Sequence, residues 1–345
     1  MTALAAPPMS VLKTRVTRRR DRVPAALSTS IIFSEKAGMS SGLRLVMAQS
    51  RPSPGSRSFC VDLFAHLFLQ SPLQAHRLRC VQAKMKKTRV AQSRMIYVGT
   101  AGWTIPKQHA THFSDQGTHL ERCAQGFNCV EVNSSFHRPH QWKTWERWAR
   151  CTPPDFRFSV KLPKAITHTA QLAKCGALLQ KFFDEVGGLG EKLGPVLVQL
   201  PPKLEYAESL AHEFFTTVRE LYPQHLHSGF IALEPRHASW FTAPVNRLLR
   251  SFTIARVAAD PPKGSPLAAT PGGWNGLCYW RLHGAPRTYY SAYGSDFLKR
   301  LSKGVRASTC AERWIIFDNT ALGHATGNAL ELASMLRAPD AGPEA

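Results

Sequence analysis

The sequence predicts an α/β fold, a single (β/α)8 barrel of the TIM type over residues 95–345, preceded by a disordered basic extension over residues 1–94. Three observations carry the prediction. Short apolar runs alternate eight times with mostly helix-forming segments. Residues 95–345 match the ~250 residues usual for such a barrel. Almost every run ends on an ionisable or amide side chain, as strands do when they deliver chemistry to one rim of a sheet.

In chain order, the first run is Ile96-Tyr-Val-Gly-Thr-Ala-Gly-Trp103, broken at its glycines, and residues 115–125 then read as helix. The second is Asn128 to Asn133, followed by Trp142, Trp145 and Trp148 at a spacing of three, one helical face expected in the core. The third spans Phe156 to Lys161, with Thr167-His168-Thr169 on the loop beyond and helical sequence over 171–186. The fourth, Pro195 to Leu200, stops at Pro201-Pro202, and helical sequence over 207–221 leads to the fifth, Phe230 to Glu234. The sixth is Thr253 to Asp260, stopped by Pro261-Pro262. The seventh is Gly276 to His283, and the eighth Arg313 to Asn319, before a closing helix over 323–336. Near-continuous apolar strands suit a parallel sheet covered by helices on its outer face.

Charge divides the chain unevenly. Of a formal +21, residues 1–94 hold 17 Lys and Arg against 3 Asp and Glu, and residues 95–345 hold 27 against 20. The first segment is rich in Arg, Ser, Pro and Ala without sustained periodicity, which is the composition of a disordered chain. It reads either as a transit-like leader or as sequence upstream of the true start, with Met95 at the head of the first strand. Its most apolar stretch, Phe59 to Leu69, is too short to span a bilayer, and no apolar h-region follows the first basic cluster. No membrane partner is therefore expected. The eight cysteines form no C-x-x-C pair, so buried thiols in a reducing, cytoplasmic setting are favoured over disulfides or zinc.

Gly99-Thr-Ala-Gly-Trp103, Val130-Glu-Val-Asn-Ser-Ser-Phe136, Val160-Lys-Leu-Pro163 with Ile166-Thr-His168, Val198-Gln-Leu-Pro-Pro202, Leu233-Glu-Pro-Arg-His-Ala-Ser-Trp240, Arg281-Leu-His-Gly284 and Phe317-Asp-Asn319 together resemble the YecE-like family, domain of unknown function 72. The resemblance covers residues 95 to about 337 and implies a TIM-type barrel with a polar, enzyme-like mouth and no established reaction. The chain departs from the family pattern at His137, where Tyr is usual, at Asp318, where Asn is common, and in the loop from Thr104 to Phe113.

In a barrel of this type the strand ends converge on one mouth, which sets the candidate residues. Glu234 is the first, as a general base or metal ligand, against the plainer reading of a structural ion pair with Arg236, Lys161 or Arg281. His168 and His283 stand at or just past strand ends, where an imidazole can move protons near neutral pH. Lys161 and Arg281 would hold a phosphate or carboxylate, or simply balance Glu131, Glu234 and Asp260. Asn133, Gln199 and Asn319 are candidates to hydrogen-bond a polar ligand, Trp103 to wall it, and Arg236, His237 and Asp260 to complete the rim; His237 could instead cap the next helix. Glu234, Asp260, His168 and His283 are also the ligand types for a divalent metal, without a ligand-pair motif. The expectation is acid/base chemistry, hydrolysis or isomerisation, on a small anionic or polyhydroxylated substrate. The alternatives are a nucleic-acid-binding protein using its basic surface and a non-catalytic barrel scaffold. No G-x-G-x-x-G, P-loop or G-x-S-x-G motif points to a nucleotide fold or a serine hydrolase.

Overall fold

A computed structural model describes residues 95–222 and 229–338 of the chain. The expectations for residues 1–94 lie outside the described residues. Ten strands form one sheet: β1 (Met95–Ala101), β2 (Cys129–Val132), β3 (Arg157–Lys161), β4 (Leu193–Gln199), β5 (Ile231–Glu234), β6 (Ile254–Arg256), β7 (Ala258–Asp260), β8 (Gly272–Gly273), β9 (Leu277–Leu282) and β10 (Glu312–Phe317). Their order is β7-β9-β10-β1-β2-β3-β4-β5-β6-β8, and every pairing is parallel except β6 with β8.

This corrects the expectation of eight parallel strands. The run from Thr253 to Asp260 is divided at Val257 into two strands with different neighbours, β6 on β5 and β7 on β9. The Val257 amide still reaches the Leu233 carbonyl at 2.8 Å, so the chain passes from one edge of the sheet to the other and nearly closes it. The antiparallel addition, β8, depends on glycine. Gly273 holds φ +68°, and a Cβ there would sit 2.5 Å from the Ile254 carbonyl oxygen. Between β7 and β9 the connection holds a 3-10 turn at Pro266–Ala269 and β8, and no α-helix.

The other connections carry α1 (His119–Gly126), α2 (Ser134–His137), α3 (Trp142–Arg150), α4 (Gly176–Val186), α5 (Glu208–Leu221), α6 (Ala243–Ser251) and α7 (Ser295–Ala307), with α8 (His324–Arg337) after β10. Local chemistry fixes several of their starts. Thr118 and Glu121 form a reciprocal capping box on α1, and the Thr242 hydroxyl caps α6. Of the three tryptophans expected in the core from α3, Trp145 is buried, Trp148 is half-buried, and Trp142 is 47% exposed. A spacing of three falls short of the 3.6-residue turn, so successive residues drift off the buried stripe.

Two apolar layers follow from the two-residue period of a strand. Val130, Phe158, Val160, Val196, Val198 and Leu233 face outward onto helix residues such as Leu179, Phe183, Phe215 and Val245. Tyr97, Cys129, Leu197, Ala232, Tyr279, Trp314 and Ile316 face inward and fill the barrel. Each large side chain so buried contributes roughly 1.5–3 kcal/mol. Tyr97 stacks on Trp314 at 4.5 Å, so the lower barrel is a packed plug rather than a channel. Cys278 and Cys310 are disulfide-bonded, which corrects the expectation of free thiols at these positions; Cys123, Cys129, Cys151 and Cys175 are free. Cys278 opens β9 and Cys310 lies just before β10, so parallel pairing of the two strands brings their starts together. Among the described residues, no helix is long and apolar enough to cross a membrane.

Candidate functional site

Above the plug, the inward positions turn polar. Tyr279, Arg281 and His283 lie two residues apart and share one face of β9 and its extension, and Arg281, fully buried, stands at the centre of the polar layer. Its Nε and Nη2 donate to the two oxygens of Glu131 on β2, at 2.9 and 2.7 Å. Its Nη1 donates to Glu234 Oε2 on β5 at 2.7 Å, and Nη2 also reaches Asp318 Oδ2, one residue past β10, at 3.0 Å. One guanidinium thus ties four strand ends together. The Tyr279 hydroxyl joins Glu131 Oε2 to Ser159 Oγ, each at 2.8 Å.

Glu234 is equally committed. Gln199 Nε2 donates to Oε1 at 3.0 Å, and Arg236 donates to the same oxygen through Nε at 2.9 Å and Nη2 at 2.8 Å. His283 lies between two carboxylates, with Nδ1 3.0 Å from Asp318 Oδ2 and Nε2 3.4 Å from Glu234 Oε1. Burial alone would lower the imidazole's pKa, but the charge of Glu234 and the hydrogen bond to Asp318 outweigh it and raise the value above 6.5. Burial would likewise raise the Glu234 carboxyl. Arg281, His283 and Arg236 instead hold it well below the usual carboxylate range. Asp318 is lowered in the same way, against its own burial, by Arg281 and His283.

Lys161 ends β3 on the same rim. Its Nζ lies 4.2 Å from the centre of the Phe136 ring. Burial, and then the charge of Arg281, bring its pKa down to about 8 against the pull of Glu131, Glu234 and Asp318. The ring also meets His137 and His168, each 5.0 Å away and edge-on, His168 lying in a single π-helical turn at Ala165–Thr169. Its Nδ1 meets Thr167 Oγ1 at 2.9 Å, and its pKa is lowered by partial burial and by Lys161, Arg236 and Lys164.

The structure therefore brings together Lys161, Gln199, Glu234, Arg236, Arg281 and His283, with His168 alongside through Phe136. The other candidates stand apart from this network. Trp103 packs edge-on against Trp148 at 4.9 Å. His237 caps the 3-10 turn at Ala238–Trp240, its Nδ1 2.9 Å from Ser239 Oγ. Asp260 Oδ1 is bound by the Tyr293 hydroxyl at 2.8 Å. Asn319 donates to Ser291 and Asn328, and Asn133 opens α2. Glu131, Ser159, Tyr279 and Asp318 are network members absent from the sequence-based set. Strand parity was the signal for the first three, since each lies two residues before or after a candidate on its own strand or strand end. Among the described residues no group of three or more His, Cys, Asp and Glu has the arrangement to hold a metal ion. In particular, Asp260 and His168 do not join Glu234 and His283.

Comparison with known proteins agrees with this architecture. UPF0759 protein YecE of Escherichia coli K12 is 33% identical over 144 residues, a match that takes in 39% of this chain and 52% of that protein. The chain thus spans about half the length of the curated relatives it matches. A crystal structure of a DUF72 family protein from Thermotoga maritima MSB8 aligns with TM-score 0.58 and 26% identity, covering 71% of this chain and all of that one. One from Enterococcus faecalis V583 aligns with TM-score 0.60 and 20% identity, covering 71% and 96%. The sequence profile of the family described as "Protein of unknown function DUF72" matches residues 97–345, and the chain belongs to that family.

Proposed function

We propose that this barrel is an enzyme that moves protons on a small anionic or polyhydroxylated substrate bound over the polar layer at its mouth. The observation that carries the reading is a pair of histidines whose environments push them in opposite directions. His283, between Glu234 and Asp318, has its pKa raised, and His168, partly buried beside Lys161 and Lys164, has its pKa lowered. Two titratable groups separated in this way are the ordinary signature of an acid and a base working together.

In this reading His283 is the acid and His168 the base. Glu234 and Asp318 act as positioning residues that favour the charged form of His283 and fix its ring. Arg281 holds those carboxylates in place from beneath and has no exposed surface to offer a ligand. Arg236 has 18% of its side chain exposed and binds Glu234 through Nε and Nη2, leaving Nη1 to meet an anionic group. The division of labour suits hydrolysis of a polarised bond or isomerisation through an enediol, both of which need one proton removed and one delivered.

The test is a panel of sugars and sugar phosphates screened for turnover by the purified chain, with any activity re-measured in His283→Gln and His168→Gln. Each substitution is expected to lower kcat by about 10²-fold or more, in line with the usual worth of a positioned acid or base. Wild-type kcat in both variants would sink the proposal.

A further inference from the structure

We infer that Lys161 is a nucleophile, and that its amine forms an imine with the carbonyl carbon of an aldehyde or ketone substrate in the barrel mouth. The inference rests on the reading above that the mouth receives a small polyhydroxylated molecule, and gives that molecule a carbonyl group.

The geometry that points to it is a cation left without an acid. Three carboxylates stand in the polar layer, and each is already claimed. Glu131 is bound by Arg281 and Tyr279, Asp318 by Arg281 and His283, and Glu234 by Gln199, Arg236, Arg281 and His283. Among the described residues the Lys161 ammonium has neither a hydrogen-bond acceptor nor an ion pair, and its one close partner is the face of the Phe136 ring, a cation–π contact at 4.2 Å. A lysine whose task was structural would have taken one of these acids. Its backbone is fixed instead, since its carbonyl accepts the Ser135 hydroxyl at 2.7 Å. The stem therefore leaves a rigid strand end, and 9% of the residue is exposed.

Desolvation makes such an amine reactive near neutral pH. The groups facing it are Arg281 on β9, Glu131 on β2, Glu234 on β5, Asp318 beyond β10 and His168 across Phe136, and with burial they leave its pKa at about 8. At pH 7.5 about a quarter of the amine is then neutral, against about one part in a thousand for an ordinary lysine. The neutral nitrogen adds its lone pair to the carbonyl carbon, forming the C–N bond, and the carbonyl oxygen takes up a proton. His168, whose pKa is lowered, receives a proton from the nitrogen. The C–O bond then breaks as His168 returns that proton to the oxygen, which leaves as water, so that amine, carbonyl and the one proton first taken up from solvent become protonated imine and water with no redox change.

The experiment incubates the full chain with glyceraldehyde, or with glyceraldehyde 3-phosphate, in sodium cyanoborohydride. The reductant gives a hydride to the imine carbon and fixes the adduct as a secondary amine, heavier than the lysine by the mass of the aldehyde less one oxygen. Peptide mass spectrometry then gives the labelling rate at each lysine. Lys161 is expected to label at least tenfold faster than the mean of the other lysines at pH 7.5, with half-maximal rate near pH 8. Labelling of Lys161 no faster than the mean, with either probe, overturns the inference. So does a rate that rises only toward the ordinary lysine range. Lys161→Arg is expected to abolish the fast site and leave the slow ones unchanged. If Lys161 fails to label while His283→Gln and His168→Gln still depress turnover, the nucleophile falls and the acid/base reading stands. Fast labelling with turnover indifferent to both histidines does the reverse.

Discussion

Arg281 shows how a buried charge is made tolerable and what that requires of its neighbours. An unpaired guanidinium at zero exposure would cost several kcal/mol, so the barrel surrounds it with Glu131, Glu234 and Asp318. Three acids around one cation overcompensate it, Arg236 and Lys161 restore the balance, and the acids draw His283 toward its charged form. That coupling sets a pH profile for stability. His283 is raised in the folded state, so its contribution is complete below its ordinary 6.5 and is lost as pH rises through the folded value. Glu234 and Asp318 are lowered, so theirs is present above the ordinary 4.5 and 3.8 and is lost as pH falls through the folded values. Lys161, lowered, has the opposite sense to His283 and favours the folded state progressively as pH climbs above about 8. Comparing urea midpoints of the wild type and His283→Gln cancels the Lys161 contribution to first order. The wild type's advantage is expected to be largest near pH 6 and to shrink toward pH 9. An advantage independent of pH would mean that folding does not raise the His283 pKa.

Among elements, β9 was the most legible. Leu277 to Leu282 is an uninterrupted apolar run apart from Arg281, and a lone arginine in such a run has to face either the barrel interior or a paired acid. Parity from Arg281 gives Tyr279 and His283 at once, and the same rule applied to Lys161 and Glu131 gives Ser159 and the inward face of β2. What sequence could not show was which strand ends touch, because Glu131 and Arg281 are 150 residues apart and meet only once the sheet curls. The division of the sixth run at Val257 was hidden for a similar reason. Between Thr253 and Asp260 its residues are apolar apart from Arg256, and the break marks a change of pairing partner that this pattern does not show. The short strand β8 is the converse case, where a backbone requirement outweighs a side-chain pattern. Gly273→Ala would force a side chain into φ +68° and against the Ile254 carbonyl. A loss of about 1–3 kcal/mol in unfolding free energy is expected by urea denaturation. An unchanged midpoint would show that β8 is not part of the cooperative fold.

For the whole molecule, the fold and the place of the candidate site were open to reading because barrel strands repeat one grammar, an apolar run and then a polar terminus. The chemistry was less so, because terminal side chains such as Asp260 and Asn319 have the right type and position yet spend their hydrogen bonds on Tyr293, Ser291 and Asn328. Net charge is the remaining large-scale feature. The polar layer of the barrel is close to neutral within itself, so the excess of 27 Lys and Arg over 20 Asp and Glu in residues 95–345 lies elsewhere, and the larger excess lies before residue 95. Non-specific attraction to nucleic acid scales with the number of phosphates neutralised, and it weakens steeply with salt. The full chain is therefore expected to bind a short DNA duplex at low salt and to lose most of that affinity between about 50 and 200 mM salt. A chain starting at Met95 is expected to bind at least about tenfold more weakly at the lower salt, because two thirds of the positive excess has been removed. Fluorescence anisotropy of labelled duplex with both chains measures the difference. Equal, salt-steep affinities would move the interaction onto the barrel itself and favour a nucleic-acid partner over a small substrate. Weak binding by the shorter chain would assign the nucleic-acid affinity to the segment before residue 95 and leave the proposal of a small substrate standing.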